Sequence, residues 1–354
     1  MGDRVLVWGL SNNRAGTEAV IYNYVTHAPD TKFDFLCYEA PENYQDLFEG
    51  TDNSYYVIPI KIKHPLANWR AMRTFMKEHA GDYSTVWVNL NDTSNIDILI
   101  EAERYGIPRR ITHVHNAGLP DVFITKLFSK LNWNRCLRLA TDYWACSKAA
   151  GDFFYGDLAY RVIPNAVDSK ARAYDEKKRE LVRAEWNLDG KYVIGTVGRL
   201  VEQKNQGLLI NVLPGILARR PNAALLIVGE GDLRKELEVR ASELGIEDRV
   251  IFAGSQQDMQ AYYSAFDVFA FPSIYEGLSL SLLEAQFNGL PCVVSDGVSS
   301  ETFISRNIQV IPTNDESRWT RALLGASRGQ APLIEDLARK YTLESIEGLA
   351  PSLF

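Results

Sequence analysis

The chain of 354 residues is longer than one ordinary core organises and suits two domains of about 100–200 residues each. Hydrophobic residues at 46% with charged residues at 23% describe a soluble globular chain and exclude a disordered or fibrous one. A net charge of −7 excludes the basic footprint of a general nucleic-acid binder, so no nucleic-acid partner is expected.

In chain order, short apolar runs rich in β-branched and aromatic residues alternate with longer helical patterns. The first half carries them at 4–9, 33–38, 54–59, 85–90, 110–115, 142–147 and 161–167, the second at 192–198, 223–229, 249–254, 267–272, 291–296 and 308–312. Continuous rather than alternating apolar runs suit strands buried on both faces of a parallel sheet. Between them, QGLLINVLPGILARR (206–220) and DLRKELEVRASELG (232–245) place apolar residues at helical spacing. The expectation is α/β, with two Rossmann-like doubly wound domains facing across a cleft where the carboxyl ends of their strands bind ligands. Residues 1–168 form the first domain, 169–190 a polar linker and 191–334 the second. The tail near 335–354 is a candidate to pack back on the first.

The four cysteines, Cys37, Cys136, Cys146 and Cys292, are scattered without metal-ligand spacing, and no Asp-x-Asp pair occurs. Reduced thiols in a core and no metal site are expected. MGDRVLVWGL turns polar too early for a signal peptide, and no run approaches the ~18–20 apolar residues that span a bilayer. A cytoplasmic protein is expected.

Two constellations carry chemistry. In SIYEGLSLSLLEAQFNGLPCVVSD (273–296), Glu276 precedes a helix begun by Ser279 or Ser281 and ended by Asn288-Gly289, and Glu284 lies inside it. Gly277 lets the amides of Gly277, Leu278, Ser279 and Leu280 approach a diphosphate at the helix N-terminus. Glu276 then points toward what the diphosphate carries, and Glu284 toward a ribose diol. Two glutamates at this spacing are common by chance, but a second pattern joins them. The strand YVIGTVG runs into Arg199, with Lys204 five residues on, two cations able to neutralise a departing diphosphate. A solvated loop would explain either pattern alone.

Arg199 with Lys204, GEGDL (229–233), the E-x7-E stretch from Glu276 to Glu284 and VIPNAVD (162–168) together resemble a retaining nucleotide-sugar glycosyltransferase of the GT-B fold, and more narrowly glycosyltransferase family 4 in its bacterial capsule and exopolysaccharide branch. The resemblance spans nearly the whole chain and is densest from 192 to 300. It implies that Arg199 and Lys204 hold the donor diphosphate, that Glu276 contacts the transferred sugar and that Glu284 binds the ribose, with Gly229 and Glu230 beside them. It further implies that Gly16 lines the diphosphate and that His115 contacts a donor hydroxyl near the reacting carbon. Ala15 stands where the family usually has a second glycine, and Ala166 replaces another in PNAVD. A histidine at a strand end, taken without that resemblance, is more often structural, and His113 shares its face. The implied donor is a nucleoside-diphosphate sugar, most simply UDP-linked, and the acceptor a saccharide or lipid-linked saccharide. No further cofactor is implied.

The stretch ITKLFSKLNWNRCLRL (124–139) carries Lys126, Lys130, Arg135 and Arg138 without an acid, and Trp133 among other apolar residues. It reads either as a core-facing helix with a wet basic side or as a contact with anionic lipid on the inner face of the plasma membrane. KIKHPLANWRAMRTFMK (61–77) is a second basic, aromatic stretch. Competing functions are a nucleotide-sugar 2-epimerase, a non-catalytic nucleotide-sugar-binding subunit and, more weakly, a nicotinamide dehydrogenase. GLSNNRAGTE after the first strand lacks the dinucleotide glycine pattern of the last.

Overall fold

The computed structural model describes residues 2–13, 16–119, 122–329 and 332–354. The chain divides into two units, one of residues 1–166 with 343–354 and one of residues 167–342.

The first unit is built on β1 (Arg4–Trp8), β2 (Lys32–Cys37), β3 (Ser54–Val57), β4 (Tyr83–Leu90), β5 (Arg109–Val114), β6 (Asp142–Ala145) and β7 (Arg161–Val162). Its helices are α1 (Gly16–Thr26), α2 (Pro65–His79), α3 (Asp97–Arg104), α4 (Phe123–Leu139) and α5 (Lys148–Tyr155). The strands pair in parallel in the order β3-β2-β1-β4-β5-β6-β7, the doubly wound arrangement expected of the alternating pattern. Of the run 161–167, only Arg161 and Val162 pair as a strand, because Pro164 has no N–H to give to a ladder.

The second unit is built on β8 (Tyr192–Val197), β9 (Ala223–Val228), β10 (Val250–Gly254), β11 (Val268–Phe271), β12 (Cys292–Ser295) and β13 (Ile308–Ile311). They pair in parallel in the order β10-β9-β8-β11-β12-β13. Its helices are α6 (Glu176–Glu185), α7 (Gln206–Leu217), α8 (Arg234–Glu243), α9 (Met259–Ala265), α10 (Leu280–Phe287), α11 (Glu316–Gly325) and α12 (Glu335–Ala338). Strand alternation feeds two cores. Ile194, Leu225, Ile227 and Ala270 join α7, α8 and α11 on one face. Val193, Leu226, Val228 and Phe269 join α6, α9 and α10 on the other. Central strands such as β9 and β11 are therefore buried throughout, while the edge strands β3 and β7 are mostly exposed and β13 is half exposed.

Residues 169–190, polar enough to read as a linker, contain α6. Its charges are used inside the second unit. Arg179 and Arg183 reach the two oxygens of Asp267 at 2.6 and 2.7 Å, and Arg179 also donates to the carbonyls of Ser264, Ala265 and Phe266 at the end of α9. These carbonyls have no intrahelical partner, and a guanidinium satisfies several at once. The tail belongs to the first unit through α13 (Leu343–Glu347) and Phe354. The Phe354 ring lies 5.0 Å from Trp87, 5.1 Å from Phe33 and 5.7 Å from Trp144.

The four cysteines are buried and unbridged. Among the described residues no group of histidine, cysteine and acidic side chains is arranged to hold a metal ion. No helix among them is long and apolar enough to cross a membrane.

Candidate active site

At the carboxyl end of the second unit's sheet, two loops are laced together. After β8 the chain passes Arg199, makes a short turn of 3-10 helix from Glu202 to Lys204 and enters α7 through Asn205, whose φ of 51° reverses the chain. After β11 it passes 272–279 and enters α10. Gln203 accepts from the Ile274 amide at 2.8 Å and donates through Nε2 to the Tyr275 carbonyl at 2.9 Å, and Asn205 donates to Pro272 at 3.3 Å. This lacing brings Lys204 and Glu276, 72 residues apart, into a 2.6 Å ion pair with both side chains largely buried. The Lys204 ammonium also lies 5.0 Å over the Phe271 ring, a second favourable contact for a desolvated cation.

Arg199, by contrast, is exposed, and its side chain makes no hydrogen bond or ion pair among the described residues. Its backbone carbonyl is held by Gln206 at 2.9 Å. Gly229 and Glu230 follow β9 alongside. The Leu200 amide donates to the Glu230 carbonyl at 2.9 Å, and a Cβ on Gly229 would stand 2.1 Å from the Gly198 oxygen at a φ of +136°. Only glycine fits there. The Glu230 side chain itself is turned to Arg234 at 2.5 Å on the surface of α8.

Ser279 caps α10, its hydroxyl accepting from the Leu282 amide. The Glu276 amide is used by the Gly297 carbonyl at 3.2 Å, but those of Gly277, Leu278 and Ser279 donate to no protein acceptor among the described residues. Three successive free N–H groups at a helix N-terminus favour an anion. Leu280 opens the helix itself. Glu284, on the second turn, accepts from Arg172 Nε at Oε1 and from the Tyr263 hydroxyl at Oε2, both at 2.8 Å. Neither partner was visible as a site residue in the sequence. Arg172 falls in the stretch read as linker, and Tyr263 looks like any other aromatic of a core helix.

The remaining expected residues belong to the first unit, at the carboxyl end of its own sheet. Gly16 is exposed at the start of α1; Ala15, its companion in the sequence pattern, lies outside the described residues. His115 follows β5 and is buried, with Nε2 at 2.9 Å from the Asn89 Oδ1 atom. The Asn89 amide is turned that way because its nitrogen donates to the Trp8 carbonyl at 3.2 Å, so His115 carries its proton on Nε2. Burial lowers the pKa of His115 to about 3, so the ring is neutral at physiological pH. His113 is packed against it with ring centroids 4.3 Å apart, and burial holds its pKa well below 6.5 too. Asn89 escaped the sequence reading because nothing in TVWVNL distinguishes it from a strand-end asparagine.

The basic helix α4 is not core-facing in the way its apolar content suggests. Ser129, Cys136 and Leu139 face inward, whereas Phe123, Ile124, Leu127, Phe128 and Leu131 are exposed, Phe123 at 76%. They recur at i, i+1, i+4, i+5 and i+8, one stripe away from the core. Lys126, Lys130, Arg135 and Arg138 are exposed with them. Trp133 differs: it stacks on Phe154 at 4.7 Å and edges Phe153 at 5.6 Å, inside the first unit's own packing.

The family described as glycosyl transferases group 1 matches residues 178–332, the stretch that holds both laced loops. EpsF of Bacillus subtilis, a glycosyltransferase by name, is 31% identical over 305 residues, 82% of this chain and 78% of its own length. The GDP-mannose-dependent alpha-(1-6)-phosphatidylinositol monomannoside mannosyltransferase of Mycolicibacterium smegmatis is 31% identical over 249 residues, 66% of this chain and 63% of its own. Among solved structures, HepE of Anabaena, in complex with UDP and glucose, has the same fold, with a TM-score of 0.79 over 98% of this chain and 97% of its own at 18% identity. Two Rossmann-like units of this topology, the family match over both laced loops and the likeness to EpsF over 82% of this chain lead to one assignment: the chain belongs to the group 1 glycosyl transferases and has the GT-B fold.

Proposed function

We propose that the protein is a retaining glycosyltransferase of family 4 that moves a sugar from a nucleoside diphosphate, UDP first among them, to a saccharide or lipid-linked saccharide in surface polysaccharide synthesis. The buried Lys204–Glu276 pair beside three free amides at the start of α10 carries this reading. The ammonium and the amides supply positive charge for a diphosphate, and the carboxylate stands at its sugar-facing end. Lys204 has three donors, enough to keep Glu276 and hold a phosphate oxygen together. Arg199, exposed and uncommitted, is the second cation.

The reaction we propose is the same-face transfer that the family resemblance implies, served by that inventory. The acceptor oxygen bonds to the anomeric carbon on the face from which the phosphate departs. The bond from that carbon to the phosphate oxygen breaks, and the acceptor proton passes to the departing phosphate. Lys204 and Arg199 stabilise the charge that develops there, so positioning and electrostatics do the catalysis without a metal. His115, neutral and oriented by Asn89, is suited to a sugar hydroxyl and not to a phosphate.

Thermal stabilisation by UDP, GDP and their sugars tests the donor, and the GDP-mannose dependence of one relative makes GDP the essential competitor. Stabilisation by UDP, with slow UDP-sugar hydrolysis lost in Glu276→Ala, is expected. Stabilisation by GDP alone overturns the nucleotide, and an inverted anomeric carbon in the product overturns the mechanism.

The exposed apolar and basic stripe of α4 supports peripheral attachment to an anionic membrane, where a lipid-linked acceptor would be met. Each Lys or Arg near such a surface contributes about 1 kcal/mol, and the apolar side chains add area removed from water.

A further inference from the structure

Both carboxylate oxygens of Glu284 are already engaged, and their partners lie outside the E-x7-E pattern. Arg172 meets Oε1 side-on through Nε at 2.8 Å, and the fully buried Tyr263 hydroxyl meets Oε2 at 2.8 Å. A carboxylate oxygen has two acceptor positions, so each is left with one to offer. Two fixed acceptors side by side match the two hydroxyls of a ribose. We propose that Arg172 and Tyr263 form a clamp that presents Glu284 to the nucleotide ribose, with Arg172 the positioning residue for ribose recognition. This rests on the donor-site reading above.

The clamp is itself held. The Arg172 carbonyl accepts from Asn288 Nδ2 at 2.9 Å, at the last turn of the helix that carries Glu284. The same Asn288 nitrogen reaches the Ser264 hydroxyl at 3.3 Å, next to Tyr263 on α9. The neighbouring Ala173 carbonyl accepts from Gln260 Nε2 at 2.7 Å. The segment 171–173, α9 and the C-terminal end of α10 are thereby tied into one frame around the carboxylate. A glutamate loses rotamer freedom when it is ordered. Here that ordering is complete within the protein, so it is not charged against binding. Burial and the neighbouring carboxylate push the Tyr263 phenol well above its ordinary range, so it remains a donor to Glu284 wherever the protein is folded.

An ion pair that only fastened segment 171–173 to the unit would give the same distances. The two roles separate in nucleotide discrimination. Calorimetric titration of the full chain with UDP and with 2′,3′-dideoxy-UDP gives the ratio of their dissociation constants. The wild type is expected to favour UDP by roughly ten- to a hundredfold, the size of hydrogen bonds to a charged acceptor. Arg172→Met should bring that ratio close to one while leaving dideoxy-UDP binding unchanged, and Arg172→Lys should restore part of it. Tyr263→Phe, nearly isosteric, should lower the ratio partway and provides the test if Arg172→Met does not fold. A ratio that stays at the wild-type value in the folded variants, or equal weakening of both ligands, overturns the proposal alone. Failure of the wild type to bind UDP, or GDP against its dideoxy form, overturns the donor-site reading and the clamp with it.

Discussion

Lys204 and Glu276 meet at 2.6 Å across 72 residues of chain, at the seam between the loops that follow β8 and β11. Each neutralises the other's charge in a place where neither is well solvated. Removing one partner alone is therefore worse than removing both. Lys204→Met or Glu276→Gln should each destabilise the second unit, at the cost of about 3–5 kcal/mol typical of an orphaned buried charge. The double variant should recover much of that in denaturant unfolding. Activity should not recover: transfer should fall about a hundredfold or more in all three, since the cation proposed to stabilise the leaving group is lost or misplaced.

Gly229 is a test of the loop rather than of its charges. A Cβ there would meet the Gly198 carbonyl at 2.1 Å, and φ of +136° is closed to other residues. Gly229→Ala should cost at least about 1–3 kcal/mol of stability and weaken nucleotide binding, both read from thermal melts with and without UDP. Gly245→Ala should cost less, since its Cβ would enter open space and only its φ of +64° is strained.

The pair His113 and His115 predicts a pH dependence. Their folded-state pKa values are depressed below the unfolded value near 6.5, His115 to about 3. Below pH 6.5 the unfolded chain takes up protons that the folded chain refuses. Stability contributed by the neutral pair is thus present above about pH 6.5 and is lost as the pH falls toward about 3, at up to about 1.4 kcal/mol per pH unit for each ring. The melting midpoint of the first unit should drop between pH 7 and pH 5, and His113→Phe should flatten that slope. An unchanged slope would show that the rings are protonated in the folded protein.

The exposed stripe of α4 predicts a separable membrane defect. Phe128→Asp with Leu131→Asp should abolish sedimentation with vesicles rich in anionic phospholipid and leave UDP binding at the wild-type level. Lys126→Glu with Lys130→Glu should weaken binding to anionic but not to neutral vesicles, with a salt dependence that disappears. Equal binding of the wild type to both kinds of vesicle, or none, would end the membrane assignment.

Much of this protein is readable along the chain. Each of the thirteen apolar runs contains a strand, and those buried on both faces are written in consecutive apolar residues, as in AALLIV at β9. The cap at Ser279 and the stop at Asn288 and Gly289 are equally local, set by one hydroxyl and by a residue with φ of +78°. Tertiary structure decided what depends on side chains distant in sequence. Arg179 and Arg183 look solvated in a polar stretch, yet Asp267 and the last carbonyls of α9 give them a reason to be buried. The stripe on α4 looks core-facing because helical spacing reports that residues share a face, not which way that face turns. Glu276 and Glu284 were legible as a pair eight residues apart, but what each carboxylate touches was not. Their partners are Lys204 for one and Arg172 with Tyr263 for the other; they come from the loop after β8, the segment before α6 and the helix α9, which only the folded unit brings together, and a carboxylate's chemistry is set by those partners.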